Sequence, residues 1–231
     1  MSDAVAVIKV LIADDQRVIR DGLTMLVNFV SDFEVVGAVG DGTDAINEVA
    51  AQEPDIVLMD LRMPGVDGVE ATRVIVSSGS TRVVVLTTYA DDESLFPALR
   101  AGASGYLTKD ASAEQIEAAI RAVYAGQTWL EPVVQERLAA SVVAGDLRDT
   151  RSATVTGART SPDGLTAREA QVLTLIGEGL SNQEIGDRLV LSQATVKTHV
   201  NRIFAKTGVA NRANAVLYAY QVGLAGPPQQ I

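Results

Sequence analysis

The sequence predicts two domains of different class. Residues 5–130 read as a doubly wound α/β domain with a five-stranded parallel sheet, and residues 165–225 as a small all-α domain of four helices. Short β-branched runs alternate with amphipathic stretches through the first part, the pattern of repeated βα units. Those runs carry little polar alternation, as in strands covered by helices on both faces. Beyond a small, polar segment only helical patterns remain.

The strand-like runs are "VIKVLIA", "EVVGAV", "DIVLMD", "RVVVLTT" and "GYLTK". Between and after them lie "RDGLTMLVNF", "DAINEVAAQ", "VEATRVIVS", "DESLFPALRA" and "SAEQIEAAIRAVYAG", each amphipathic at helical period. The last opens with Ser112 and Gln115, a capping box. Glu131 to Ala144 is predicted to add one more helix. Gly145 to Gly164, "GDLRDTRSATVTGARTSPDG", lacks apolar period and reads as a flexible linker, so residues 131–164 join the two domains. Thr166 with Glu169 and Ser181 with Glu184 then open two further helices as capping boxes. "LSQATVKTHVNRIFAKTG" and "NRANAVLYAYQVGL" supply the remaining two.

Composition bounds the function. The 231 residues contain no cysteine, which excludes a disulfide framework and suits a reducing compartment. The start, "MSDAVAVIKV", lacks the basic and apolar regions of a signal peptide. No apolar run approaches the ~20 residues of a membrane span, so a cytoplasmic protein without a membrane partner is expected. The net charge of −10 would disfavour nucleic acid, but it is unevenly spread. From Pro162 onward six Lys/Arg face five Asp/Glu, which leaves +1 there and −11 on everything before it.

Ligands of doubly wound sheets bind beyond the carboxyl ends of the strands. The first strand ends in Asp14 and Asp15, the third in Asp60, the fourth in Thr87 and Thr88, and the fifth in Lys109. Singly, each reads as a solvated strand end. Together they bring three carboxylates, a hydroxyl and an ammonium to one edge. Acids so gathered raise one another's pKa values, and a hard cation such as Mg²⁺ resolves the conflict. Beside the metal, one carboxylate can act as nucleophile toward a phosphoryl group. Mg²⁺, Lys109 and Thr87 can then each take one equatorial oxygen.

"ADD", "LMDLRMPGVDG", "LTTYADDE" and "AGASGYLTKD" resemble the receiver domain of bacterial two-component response regulators, over all of residues 5–130. The resemblance implies a flavodoxin-like fold, Asp60 as phospho-acceptor and Asp15 as a direct Mg²⁺ ligand. It implies that Asp14 reaches the metal chiefly through water and that the Arg62 backbone carbonyl is a further ligand. It also implies a switch pair, Thr87 and Tyr106, whose tyrosine ring turns inward. Asp110 stands where many receivers have proline after the lysine, so the isomer of that bond is left open.

In "SNQEIGDRLVLSQATVKTHVNRIFAK", a short helix leads through a brief turn into a second. Val196, Val200 and Ile203 of the second share one face, with Lys197, Thr198, Asn201 and Arg202 on others, as a groove-entering helix requires. The segment from Leu165 to about Leu224 resembles the LuxR-type helix-turn-helix of the NarL/FixJ regulators. By that resemblance Lys197, Thr198 and Asn201 face base edges, and Arg202 and Lys206 contact phosphates. His199 has no second histidine or cysteine to join as a metal ligand. Trp129, Leu173, Ile176, Val216 and Tyr220 read as core.

The sequence thus points to a DNA-binding transcriptional regulator. Its expected partners are a sensor histidine kinase as phosphodonor, double-stranded promoter DNA, and a second copy when phosphorylated. A Mg²⁺-dependent aspartyl-phosphate phosphatase and a phosphate-independent DNA-binding regulator are the alternatives. The phosphatase reading suffers because such enzymes carry their nucleophile on the first strand, in an Asp-x-Asp motif.

Overall fold

The computed structural model describes residues 7–88, 92–131, 134 and 162–225. Most of the expected helix from Glu131 to Ala144 and of the linker lies outside the described residues. So do Tyr89, Ala90 and Asp91 of "LTTYADDE". The chain divides into two compact units, Met1–Glu131 and Pro132–Ile231.

The first unit runs β1 (Ile8–Ala13), α1 (Arg17–Phe29), β2 (Phe33–Val39), α2 (Gly42–Gln52), β3 (Ile56–Met59), α3 (Gly68–Ser78), β4 (Arg82–Thr87), α4 (Asp92–Ala101), β5 (Gly105–Thr108), α5 (Ala113–Tyr124) and β6 (Trp129–Leu130). All pairings are parallel, in the order β2-β1-β3-β4-β5-β6. The sheet therefore has six strands and not the five expected. The sixth is a two-residue edge strand, too short to show any period, and it exists only because Gly105 and Tyr106 offer a free edge to Trp129 and Leu130.

Ile8, Val10, Ile12, Leu58, Val84 and Leu86 pack with α1 and α5 through Leu23, Val27, Ile116 and Ile120. Side chains alternate across a strand, so Leu11, Val57, Met59, Val83 and Val85 bury the opposite face, while α2, α3 and α4 pack in series. Trp129 is half-buried against the first of these cores. Helix α1 is less neatly amphipathic than its sequence: Val18, Met25 and Phe29 stand exposed.

The second unit contains α6 (Ala167–Gly177), α7 (Asn182–Leu189), α8 (Gln193–Thr207) and α9 (Arg212–Gln221). All three capping boxes read from the sequence are present, at Ser112/Gln115, Thr166/Glu169 and Ser181/Glu184. Leu173, Ile176, Val216 and Tyr220 are buried where α6 meets α9. Among the described residues no helix is long and apolar enough to cross a membrane.

Candidate functional site

Strand register assembles the acidic edge. β1 and β3 are neighbours, with Ala13 opposite Met59, so Asp14 and Asp60 emerge side by side. The Asp60 amide donates to the Ala13 carbonyl at 2.8 Å. This is the point at which strand order reverses, the crevice where doubly wound sheets bind ligands. On the other side Thr87 pairs with Thr108, and the Lys109 amide donates to the Thr87 carbonyl at 2.7 Å. Lys109 thereby reaches across the crevice. Its Nζ lies 2.9 Å from Asp60 Oδ2 and 2.6 Å from Asp14 Oδ2. The Lys109–Asp110 bond is trans, because no described peptide bond is cis.

Asp14, Asp60 and Thr87 are buried, Asp15 is exposed, and Lys109 is largely covered. One carboxylate oxygen from each of Asp14, Asp15 and Asp60 lies within 4.8 Å of the others. The Lys109 ammonium and these three acids together carry about −2 if all are ionised. Burial pushes the Asp60 carboxyl up from its ordinary value, and Asp14 adds to that push, against the pull of Lys109. Burial works against the charge on Lys109, yet the Asp14 and Asp60 carboxylates hold its proton more firmly than usual. Asp14 Oδ1 accepts from the Gln16 amide at 2.8 Å, and Asp14 Oδ2 is buried against the Lys109 ammonium. Three carboxylates within 4.8 Å of one another, an all-oxygen donor set carrying excess negative charge, fit a hard divalent cation such as Mg²⁺.

In the second unit Ser181 caps α7 and Ser192 caps α8. The turn between them is tight. The Leu191 amide donates to the Gly186 carbonyl at 2.8 Å, and a Cβ on Gly186 would stand 2.8 Å from the Leu191 carbonyl oxygen. Val196, Val200 and Ile203 are buried, which turns Lys197, Thr198, Asn201 and Arg202 outward on α8. The short-helix, turn, long-helix arrangement is a helix-turn-helix, with α8 as the helix available to a major groove.

Residues 10–121 match the response regulator receiver domain family, and residues 163–219 the luxR family of bacterial regulatory proteins. The oxygen regulatory protein NreC of Staphylococcus aureus is 39% identical over 214 residues, covering 91% of this chain and 96% of NreC. The transcriptional regulatory protein LiaR of Bacillus subtilis is 38% identical over 216 residues, 93% of this chain and 97% of LiaR. Among solved structures, the response regulator ChrA of a heme-sensing two-component system has 34% identity and a TM-score of 0.51. That match covers 95% of this chain and 99% of ChrA.

The chain belongs to the LuxR-type response regulators. It is a transcriptional regulator of a two-component system, built from a receiver and a DNA-binding domain.

Within this response regulator, the fold brings Asp14, Asp15, Asp60, Thr87 and Lys109 to one edge. Arg62 follows in the loop, and its amide donates to Asp60 Oδ1 at 3.4 Å. The Tyr106 ring is fully buried. In the DNA-binding domain the Thr198 hydroxyl donates to the Ala194 carbonyl at 2.9 Å. Lys206 has contacts within the domain. Its Nζ is 2.6 Å from Glu169 Oε2 and 3.1 Å from the Gly164 carbonyl, so the ammonium ties α8 to the start of α6.

Sequence reading missed three residues that shape the regulator's sites. Arg20 Nη1 donates to the Asp14 carbonyl at 2.6 Å and to the Asp15 carbonyl at 3.0 Å, holding the acidic loop from behind. Arg212 is buried, and burial pulls its guanidinium down to about 10. It donates to Asn182 Oδ1 at 2.8 Å and to the Leu180 carbonyl, fixing the start of α7. Glu131 is the third, buried at the end of β6. Nothing in local sequence marks these partners, which lie six, thirty-odd and twenty-three residues away.

Proposed function

We propose that Asp60 accepts a phosphoryl group from the phosphohistidine of a sensor histidine kinase, and that this modification regulates binding of the helix-turn-helix domain to promoter DNA. The observation that carries the reading is Lys109 Nζ set between the buried carboxylates of Asp14 and Asp60. An Asp60 oxygen attacks phosphorus, the P–N bond of the donor breaks, and the imidazole leaves as the new acyl phosphate forms. Lys109 stands ready to meet the charge of the transferred group, and the Thr87 hydroxyl can move to the same group. Asp14, Asp15, Asp60 and the Arg62 carbonyl would hold Mg²⁺, which supplies charge neutralisation and alignment.

The same proposal gives Lys197, Thr198 and Asn201 the base edges of a major groove, and Arg202 a phosphate. Lys206 contributes less to phosphate binding than its charge suggests, because Glu169 already occupies it. Phosphorylation is expected to favour a homodimer, whose two tethered helix-turn-helix domains gain avidity on paired half-sites.

Incubation with acetyl phosphate and Mg²⁺, followed by intact-mass measurement, tests the centre of this reading. One phosphoryl group should be added to the wild type and none to Asp60→Ala. An adduct retained by Asp60→Ala overturns the assignment. Continuous consumption of the donor far beyond stoichiometry would favour an aspartyl-phosphate phosphatase.

A further inference from the structure

The ladder between β5 and β6 ends at Tyr106 and Leu130. One further backbone bond follows, from the Glu131 amide to the Tyr106 carbonyl at 3.4 Å. Among the described residues no backbone bond continues the β5–β6 pairing beyond it. The next β5 amide on that side belongs to Thr108, part-buried, and without a side-chain acceptor it would lack a partner there. It is not orphaned. The Thr108 amide donates to Glu131 Oε2 at 3.2 Å. Glu131 is only 7% exposed, and a buried carboxylate is retained where donors meet it.

The residue after Thr108 is Lys109. Its amide bonds the Thr87 carbonyl of β4 at 2.7 Å, and its ammonium lies between Asp14 and Asp60. The end of β5 is therefore pinned from both edges by bonds one residue apart, to β4 on one side and to the Glu131 side chain on the other. We propose that Glu131 is a positioning residue for Lys109, its carboxylate taking the Thr108 amide in place of a main-chain carbonyl. The inference rests on the reading of Asp60 as phospho-acceptor. Glu131 is also the last residue of the first unit.

Two substitutions separate reach from charge. Glu131→Gln keeps a carbonyl oxygen at the same distance and loses the charge. Glu131→Asp keeps the charge and is one methylene too short for the Thr108 amide. In full-length protein, with acetyl phosphate and saturating Mg²⁺, Glu131→Asp should label roughly tenfold more slowly, the scale at which supporting partners of a site act. Glu131→Gln should label like the wild type. Hydrogen exchange at the Thr108 amide, followed by NMR, should be fast in the Asp variant and slow in the other two. A merely structural role would lower the melting temperature without this reversal between reach and charge. Equal labelling rates in all three proteins, a slow Gln variant, or a Thr108 amide protected in the Asp variant would each overturn the proposal. A wild type that takes no label defeats the phospho-acceptor reading, and this inference with it. A labelled wild type with no difference among variants defeats this inference alone.

Discussion

Gly68 packs against the main chain of Asp60 so closely that a Cβ there would overlap the Asp60 carbonyl oxygen and stand 2.7 Å from Leu61 Cα. The Gly68 amide donates to the Leu61 carbonyl at 3.0 Å. The first residue of α3 is thus seated on the loop that carries the proposed acceptor. Gly68→Ala must push the two backbones apart, at a cost of about 1–3 kcal/mol, and should slow labelling of Asp60. Urea unfolding and intact-mass kinetics check both effects. Wild-type values for both would show that the loop yields freely.

Arg20 should matter to metal binding although it contributes no ligand. Its guanidinium holds the Asp14 and Asp15 carbonyls, and a loop so held presents both carboxylates without further ordering. Arg20→Ala is expected to weaken Mg²⁺ affinity by roughly tenfold. Titration followed through Trp129 fluorescence or calorimetry measures it. An unchanged dissociation constant would remove Arg20 from the site.

The Lys206 ammonium, followed by the Thr166 amide, pulls the Glu169 carboxyl down from 4.5 to about 2. A carboxyl depressed by folding binds its proton more readily when unfolded, so stability falls as the solution acidifies. The contribution is complete above pH 4.5 and disappears as pH falls toward about 2. Wild type and Glu169→Gln should therefore differ by a constant melting interval near neutrality. The interval should narrow below about pH 4.5, where the wild type loses its advantage. Parallel melting curves down to pH 2 would disprove the linkage.

Val190, in the turn of the helix-turn-helix, has φ 55° and ψ 51° and is 90% exposed. A β-branched residue in this left-handed region costs about 1–2 kcal/mol, and no buried contact offsets it. Val190→Gly should stabilise the domain by about 0.5–1 kcal/mol, after the greater unfolded-state entropy of glycine is subtracted. Denaturant unfolding gives the sign. Destabilisation would mean that the valine side chain has a packing role.

The exposed face of α8 should divide by function. Lys197→Ala is expected to relax base preference at one half-site position, at a cost of about 1–3 kcal/mol there. Arg202→Ala should weaken all sequences alike and reduce the salt slope by about 1. Binding measured across a half-site library and several salt concentrations distinguishes them. Identical base profiles for wild type and Lys197→Ala would exclude that side chain from readout.

Much of this was legible in the chain because it depends on near neighbours. The long parallel strands read as apolar runs. The capping boxes at Ser112, Thr166 and Ser181 each span three residues, so all could be read before any tertiary contact was known. The site acids and Lys109 were legible too, since strand ends in this fold class converge at one edge. The rest was decided by tertiary structure, where a residue's partner lies far along the chain. β6 has too few residues to carry a period and forms only against the free edge of β5. Lys206 reads as a DNA-facing cation, and only folding reveals its ion pair with Glu169, 37 residues away. Glu131 reads as a helix start, and only the premature end of the β5–β6 ladder makes its carboxylate the acceptor for Thr108. Local pattern determined which elements form and where the acids gather. Which charges stay free for a ligand followed from hydrogen-bond satisfaction across the folded chain, because buried donors and acceptors take whatever partner the packing brings.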